Sequence, residues 1–173
     1  MKSKKIKIGI LGGSFDPAHK GHLAISKEAR KRFNLKKIIW AITKKNPFKK
    51  KSDTSVSKRL KKCKEVIGEN IFIKVKFYEN IIKSNKTIDL ITYLKKNKNI
   101  EIYFLMGADN LINFHKWHKS KLISKKCNII VFDRHGFKKN SLKSKTFRKL
   151  GKNILTFVEF KKVNISSSQL RKI

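Results

Sequence analysis

The sequence predicts an α/β protein, a Rossmann-like three-layer α/β/α sandwich with a mainly parallel sheet. Short runs of β-branched and aromatic residues alternate along the chain with helical segments of about ten residues. Helical connections of that length join parallel strands and are almost always right-handed. No repeat, linker or Pro/Gly/Ser-rich tract divides the 173 residues. We therefore expect a single domain over residues 1–173.

Six predicted strands and three predicted helices make up this pattern. The strands share apolar, often β-branched residues bounded by turn signals, and the third alternates apolar residues with Lys74 and Lys76. They are residues 6–12, 37–42, 71–77, 102–106, 128–132 and 154–160. The helices share apolar residues at intervals of three and four. They are residues 21–33, 56–67 and 87–94, with Asn34 and Gly68 as stop signals for the first two.

The net charge of +34 comes from 45 Lys and Arg against 11 Asp and Glu. Such an excess would suit a nucleic-acid-binding domain, which we keep as the alternative outside enzymes. However, only six of the 45 cationic residues are arginine, and lysines occur in nearly every block of ten. With frequent Ile and Asn, this distribution is typical of coding drift toward AT-rich codons. We therefore expect no specific nucleic-acid partner.

Several features bear on the cellular compartment. No apolar run approaches the roughly 20 residues that span a bilayer. The basic N-terminus has an apolar segment that is too short for a secretory signal and is interrupted by Lys7. Cys63 and Cys127 match no metal or redox spacing, so we interpret them as reduced thiols. We expect a cytoplasmic protein without a membrane partner.

The first predicted strand runs into the string GGSFDPAHKGH at residues 12–22. Gly12 and Gly13 let the backbone turn sharply and approach a ligand closely. The loop then enters a helix N-terminus, where free N–H groups favour an anion. His19 and His22 are three residues apart and would share one face of the first turn. The string is neither GxGxxG nor a Walker loop, and it predicts a phosphate site at the carboxyl end of the strand.

The string ISSSQLR at residues 165–171 predicts a second phosphate site. Serines at a helix start can cap its N–H groups or donate to phosphate oxygens. Ser167 and Arg171 are four residues apart and can therefore face one ligand. Taken alone, the segment could equally be a serine N-cap followed by a solvated arginine.

The string FLMGADNLINFHKW at residues 104–117 lies between these two motifs. Asp109 follows a predicted strand closely and suits ribose hydroxyls there. Trp117 could stack on a flat heterocycle, because its π-face attracts such rings. On the residues alone, Trp117 could also be a core side chain.

Together these motifs resemble the HxGH nucleotidyltransferase superfamily, from Gly9 to Arg171. GGSFDPAHKGH resembles its first motif, ISSSQLR its ISSxxxR element, and residues 104–117 the GxDxLxxFxxW pattern of bacterial nicotinate-mononucleotide adenylyltransferases. The resemblance implies a fold of the nucleotidyltransferase type. It also implies transfer of the adenylyl group of ATP to nicotinate mononucleotide in NAD biosynthesis, with nicotinate adenine dinucleotide and pyrophosphate as products.

The resemblance also assigns roles to individual residues. The expected catalytic residues are His19, His22 and Arg171. The residues expected at ATP are Gly12, Gly13, Ser14, Phe15, His19, His22, Gly107, Asp109, Ile165, Ser166, Ser167 and Arg171. Those expected at the mononucleotide are Ser14, Phe15, Lys49, Thr87, Ile88, Trp117, His118 and Arg134. The N–H groups of Ile88 and His118 would hold the nicotinate carboxylate.

No general base is expected, because a phosphate monoester is already largely dianionic at pH 7. The residues offer no dedicated metal cage, so Mg²⁺ is expected to arrive with ATP on phosphate oxygens and water. The partners are therefore ATP and nicotinate mononucleotide. The sequence leaves open the oligomeric state and the preference for the acid over the amide mononucleotide.

The sequence departs from the family pattern in three places. Phe48 stands where the P-P-H-[KR] loop carries histidine, so that histidine's role is not transferred, although Lys49 is retained. Lys86 precedes Thr87, where tyrosine is common. Members usually continue well past ISSxxxR, whereas Ile173 follows Arg171 by two residues, so we expect a minimal terminal helix.

Two relatives in the same superfamily are the nearest alternatives. Pantetheine-phosphate adenylyltransferases usually carry threonine in place of His19 and lack the arrangement of Asp109 and Trp117. Cytidylyltransferases typically show G-T-F-D-x-x-H, without a double glycine followed by Ser14.

Overall fold

The computed structural model describes residues 5–45, 54–133, 137–150 and 154–159. The strands in these ranges are β1 (Ile6–Gly13), β2 (Lys37–Ile42), β3 (Ile73–Lys76), β4 (Ile100–Gly107), β5 (Asn128–Phe132) and β6 (Leu155–Val158). The helices are α1 (Lys20–Phe33), α2 (Val56–Ile67), α3 (Glu79–Ile82), α4 (Thr87–Leu94), α5 (Ala108–Asn113), α6 (Ser120–Lys126), α7 (Lys138–Leu142) and α8 (Lys145–Leu150). A 3-10 helix spans Phe114–Lys116.

The strands of the described ranges form one sheet in the order β3-β2-β1-β4-β5-β6, and every neighbouring pair is parallel. The chain winds outward from β1 to β3 on one side and from β4 to β6 on the other. The direction of winding therefore reverses between β1 and β4. Open α/β sheets bind ligands outside the carboxyl ends of their strands at such a point.

The core has two parts, one on each face of this sheet. Alternate residues of a strand point to opposite faces, so Ile102 and Phe104 of β4 join one cluster while Tyr103 and Leu105 join the other. The first cluster includes buried residues of α4, α5 and α6, and the second includes buried residues of α1 and α2. Helices thus cover both faces, which confirms the predicted three-layer sandwich with a parallel sheet.

The helices differ in how visible they are in the sequence. Apolar periodicity predicts α1, α2 and α4, which have 14, 12 and eight residues. The other helices of the described ranges have four to seven residues, too few to show a period. None of the helices in this part of the chain is long and apolar enough to cross a membrane.

The third strand is shorter than the alternation predicts. Ile71 was expected to begin it but is 85% exposed, and β3 begins only at Ile73. The reason is a turn after α2, in which the Asn70 side chain donates to the Ile67 carbonyl at 2.6 Å and Ile73 N–H donates to the Asn70 carbonyl at 3.0 Å. The β-branched residue therefore lies in a connection, where its strand propensity has no effect.

The two cysteines are free thiols that belong to opposite sides of the sheet. Cys63 is part of the cluster under α1 and α2, whereas Cys127 packs against the cluster under α4 to α6. Burial raises the pKa of each thiol to about 12. Both side chains are therefore neutral near pH 7.

Candidate active site

The candidate site lies at the carboxyl edge of the sheet, where its winding reverses. Gly12 and Gly13 end β1, and Gly107 ends the adjacent β4. The two strands pair in parallel, with Leu11 opposite Leu105. The glycine loop (residues 12–19) and the start of α5 therefore emerge side by side, which places the predicted ATP residues of these two segments at the same edge of the sheet.

His19 and His22 form a capping arrangement at the start of α1. The sequence placed both on the first helical turn, but His19 is the N-cap and has extended backbone angles, φ −151° and ψ 169°. Its Nδ1 accepts from the Gly21 N–H at 3.1 Å, and its own N–H donates to Nδ1 of His22 at 3.2 Å. The two ring centroids are 3.9 Å apart. The two imidazoles are thus close together, as predicted, but His19 is extended and not helical.

These hydrogen bonds determine the tautomer of both rings. A neutral imidazole that accepts at Nδ1 carries its proton at Nε2. Each ring therefore has Nε2–H as its donor group, as donation to a phosphate oxygen requires. The first turn of α1 contains no acidic residue, so the N-terminal end of this helix keeps its preference for an anion.

Phe15 is 1% exposed and its ring packs in the core, so only its backbone is left for the predicted contact with a ligand. The ring stacks on Trp40 with centroids 5.1 Å apart and planes inclined by 14°. Trp40 Nε1 in turn donates to Ser26 Oγ at 2.8 Å, and Ser26 Oγ donates to the His22 carbonyl at 2.8 Å. Phe15 has φ +48°, in the left-handed region that bulky residues rarely adopt. Buried packing thus holds an unusual turn beside the two histidines.

Arg59 is a residue of this region that the sequence reading missed. Arg59 is 2% exposed, and its guanidinium donates to four main-chain carbonyls. These are Ser14 at 2.7 Å, Thr43 at 2.8 Å, Thr54 at 3.0 Å and Lys44 at 3.3 Å. Burial lowers the pKa of Arg59, while the carboxylates of Asp16 and Glu79 act in the opposite direction. The signal was present, because Arg59 falls between Val56 and Cys63 on the apolar stripe of α2.

The sequence analysis also missed Glu79, which forms hydrogen bonds with the segment after β2. Its Oε1 accepts from Thr43 Oγ1 at 2.5 Å and from the Lys44 N–H at 3.1 Å. Thr43 N–H donates to the Gly13 carbonyl at 3.0 Å. The segment after β2 is therefore joined both to the glycine loop and to α3.

The predicted acceptor residues lie around β4 and the elements that follow it. Asp109 is in the first turn of α5 and is half-buried. Trp117 follows the 3-10 helix and is also half-buried, so part of its ring packs in the core and its stacking role stays a prediction. Its ring contacts Phe104 edge-on at 6.0 Å and Phe114 at 5.2 Å. His118, the next residue, is exposed.

Thr87 and Ile88 begin α4, as predicted. The Ile88 side chain is 3% exposed and belongs to the core, so only its backbone can serve a ligand. The N–H groups of the first turn have no acceptor within their own helix. This position therefore suits the predicted role of the Ile88 N–H toward a carboxylate.

A buried hydroxyl supports the segment before Trp117. Thr146 of α8 is 0% exposed, and its Oγ1 accepts from the His115 N–H at 2.9 Å and lies 3.0 Å from His115 Nδ1. Nothing in the local sequence of α8 indicates this role, because Thr146 is surrounded by exposed basic residues. Only the packing of α8 against the 3-10 helix reveals it.

Some predicted site residues lie outside the described ranges, and their roles stay predictions. They are Lys49, Arg134, Ile165, Ser166, Ser167 and Arg171.

The chain is similar in sequence to known proteins along its whole length. A family model for cytidylyltransferase-like proteins matches residues 10–173. A curated protein of Pelagibacter ubique, named "Probable nicotinate-nucleotide adenylyltransferase", is 67% identical over 173 residues, which are all of this chain and 96% of that relative. A protein of the same name from Clostridium botulinum is 35% identical, over 96% of this chain and 84% of its own length.

Comparison with solved structures supports the fold. The Plasmodium falciparum nicotinic acid mononucleotide adenylyltransferase complexed with NaAD superposes with a TM-score of 0.75 at 23% identity, covering 96% of this chain and 82% of that one. A nicotinate-nucleotide adenylyltransferase structure from Vibrio parahaemolyticus gives a TM-score of 0.64 at 18% identity, covering 96% of this chain and 84% of that one. On the family match and the full-length relatives, the chain belongs to the nicotinate-nucleotide adenylyltransferase family.

Proposed function

We infer that this chain transfers the adenylyl group of ATP to nicotinate mononucleotide, forming nicotinate adenine dinucleotide and pyrophosphate. The observation that carries this inference is the 67% identity to a nicotinate-nucleotide adenylyltransferase over the whole chain. The geometry supports it, because two Nε2–H donors, a helix N-terminus and a glycine turn meet where the sheet reverses its winding.

The reaction is a displacement at the α-phosphorus of ATP. A 5′-phosphate oxygen of the mononucleotide forms the new P–O bond, the bond to the β-phosphate oxygen breaks, and pyrophosphate leaves with that electron pair. The attacking phosphate is largely dianionic at pH 7, so no side chain has to remove a proton. The protein's contribution is to align the two substrates and to stabilise the charge that develops.

The ATP side is served by groups that donate hydrogen bonds. We assign the Nε2–H groups of His19 and His22 to the α-phosphate and the leaving pyrophosphate. N–H groups of the glycine loop and the positive end of the α1 dipole would favour the same anion. Because these donors are held before substrate arrives, they need not reorganise during the reaction. Arg171 would add a further donor, as the family resemblance implies.

The acceptor side combines stacking with backbone donors. The half-buried Trp117 ring is held by Phe104 and Phe114 and presents its remaining surface to a pyridine ring. We assign the N–H groups of Ile88 and His118 to the nicotinate carboxylate. Asp109, beside the end of β4, would accept from ribose hydroxyls.

We propose that Mg²⁺ enters with ATP, held by phosphate oxygens and water. The ion would neutralise charge on the β- and γ-phosphates. Within the described residues no group of three or more His, Cys, Asp or Glu is arranged to hold a metal ion, so we assign it no protein ligand. The histidines and amides of the site instead suit the phosphate oxygens. We place the reaction in the cytoplasm, on the basis of its substrates.

Pyrophosphate release tests the proposed reaction. The purified protein is mixed with Mg²⁺ and ATP, and with nicotinate mononucleotide, nicotinamide mononucleotide or phosphopantetheine as acceptor. We expect release with nicotinate mononucleotide, and a matched reaction with CTP should give little. Release only with phosphopantetheine, or only with CTP, would overturn the assignment.

A further inference from the structure

The buried guanidinium of Arg59 connects three separate segments of the chain. It donates to carbonyls of the glycine loop (Ser14), of the segment after β2 (Thr43 and Lys44) and of Thr54, two residues before α2. Among the described residues, the hydrogen bonds of Arg59 go to main-chain oxygens. A charged group is retained in a core only where its donors are well satisfied, and here the backbone of the candidate site satisfies them.

The hydrogen bond to the Ser14 carbonyl also constrains the N–H group of the same peptide, which belongs to Phe15. The Ser14 carbonyl and the Phe15 N–H belong to one planar unit, and in a trans peptide they point in opposite directions. Arg59 lies on the carbonyl side, at 2.7 Å. Because Arg59 holds this oxygen, the Phe15 N–H points away from the Arg59 guanidinium.

This peptide requires support because Phe15 adopts φ +48°. A bulky residue in the left-handed region persists only where its surroundings hold it. The stacked Trp40 ring holds the Phe15 side chain, and Arg59 holds the preceding carbonyl. Together these two contacts determine both ends of the unusual turn.

We propose that Arg59 is a positioning residue, which orients the Phe15 N–H toward the α-phosphate of ATP by holding the Ser14 carbonyl. The inference rests on the proposed adenylyl transfer. It adds a residue of α2, 37 positions after His22, to the machinery that stabilises the transition state. Arginine is needed because its planar fork donates in several directions at once, whereas lysine concentrates its donors at one nitrogen.

The test uses ATP in which sulfur replaces one or the other non-bridging oxygen of the α-phosphate. The ratio of turnover with the two isomers reports how donors are aimed at that phosphate, and it is independent of the fraction of folded enzyme. We expect R59A and R59K to lose about 10²-fold in kcat, with a smaller change in KM. We also expect the isomer ratio of each variant to change by at least about tenfold.

The matched control is C63A, which removes a buried side chain one turn further along the same face of α2. It should lower the unfolding temperature but leave the isomer ratio as in the unsubstituted protein. If R59K folds and keeps both the ratio and the turnover per folded molecule, Arg59 only stabilises the fold and the proposal is wrong. R59K is measured alongside R59A because it is the variant that better preserves the packing of α2.

A second measurement separates this proposal from the proposed function. In ¹⁵N-labelled protein, the Phe15 amide signal should move downfield when a non-hydrolysable ATP analogue binds, and the shift should be lost in R59K. An unchanged shift in R59K would overturn the positioning role. If the unsubstituted protein shows the shift but releases no pyrophosphate with any acceptor, the proposed function fails while the role of Arg59 stands.

Discussion

The glycine loop and the segment that carries Trp117 are held in different ways. Polar contacts hold the loop, with Arg59 on the Ser14 carbonyl and His19 and His22 capping α1. The Trp117 segment is held mainly by ring packing, to which Thr146 adds one buried hydroxyl. Hydrogen bonds fix direction closely, whereas aromatic packing fixes a surface and tolerates small shifts. In the proposed reaction, the loop would therefore aim donors at phosphate oxygens, and the Trp117 segment would select a ring.

The largest expected effect is on the loop side. H22A removes one Nε2–H donor, so turnover should fall by about 10²-fold or more while the protein stays folded. Loss of the capping interaction should cost about 1 kcal/mol of unfolding free energy. Pyrophosphate release and thermal unfolding measure the two effects separately.

R32A is the matched control for H22A, because it breaks only the exposed pair of Arg32 with Glu28 on the same helix. That pair contributes at most about 0.5 kcal/mol, and its loss should leave turnover unchanged. Near-normal turnover in folded H22A would remove the role that we assign to this histidine.

A smaller and different effect is expected at Trp117. W117A should raise KM for nicotinate mononucleotide by about 10- to 100-fold, because stacking on one base contributes about 1–3 kcal/mol. KM for ATP should change little. W117F, which keeps a ring, should recover part of the affinity, and initial-rate kinetics with each substrate varied in turn would show this. Equal increases in both KM values would instead identify Trp117 as a core residue.

Thr146 tests whether the Trp117 segment depends on its buried hydroxyl. T146V keeps the shape of the side chain but leaves the His115 N–H without its acceptor, at a cost of about 1–3 kcal/mol in unfolding free energy. KM for the mononucleotide should rise a few-fold, and T146S should restore both values. Denaturant unfolding and kinetics provide the measurements. If T146V were as stable as the unsubstituted protein, the 2.9 Å contact would contribute nothing.

The smallest expected effect uses the two thiols as probes of the two regions. Burial raises the pKa of Cys63 and of Cys127 to about 12, above the usual value. Their contribution to stability is therefore fully present below pH ~9 and is lost as pH rises toward 12. The denaturant midpoint should fall as the pH is raised from 7 to 9 and then to 10. In C63A it should fall less steeply with pH than in the unsubstituted protein. An identical slope in C63A would exclude any contribution of this thiol.

The sequence predicted most of the sheet, because buried strands and long helices carry strong local patterns. Lys37–Ile42, Asn128–Phe132 and the ends of α2 agree with the residues predicted for them. The error at Ile71 and the missed short helices share one cause. Propensity describes single residues, while a turn or a helix of one or two turns is decided by its neighbours in space.

The candidate site shows the same difference between what local sequence patterns predict and what neighbours in space decide. The sequence by itself determined the fold class and predicted the motif residues, among them His19, His22 and Trp117, from their spacing along the chain. Only the tertiary structure showed what holds them. Arg59 and Thr146 act on residues 45 and 31 positions away, and no local sequence pattern brings these distant partners near. Burial makes such contacts obligatory, since a buried donor or acceptor without a partner is costly. The supporting groups of this site are therefore a property of the fold.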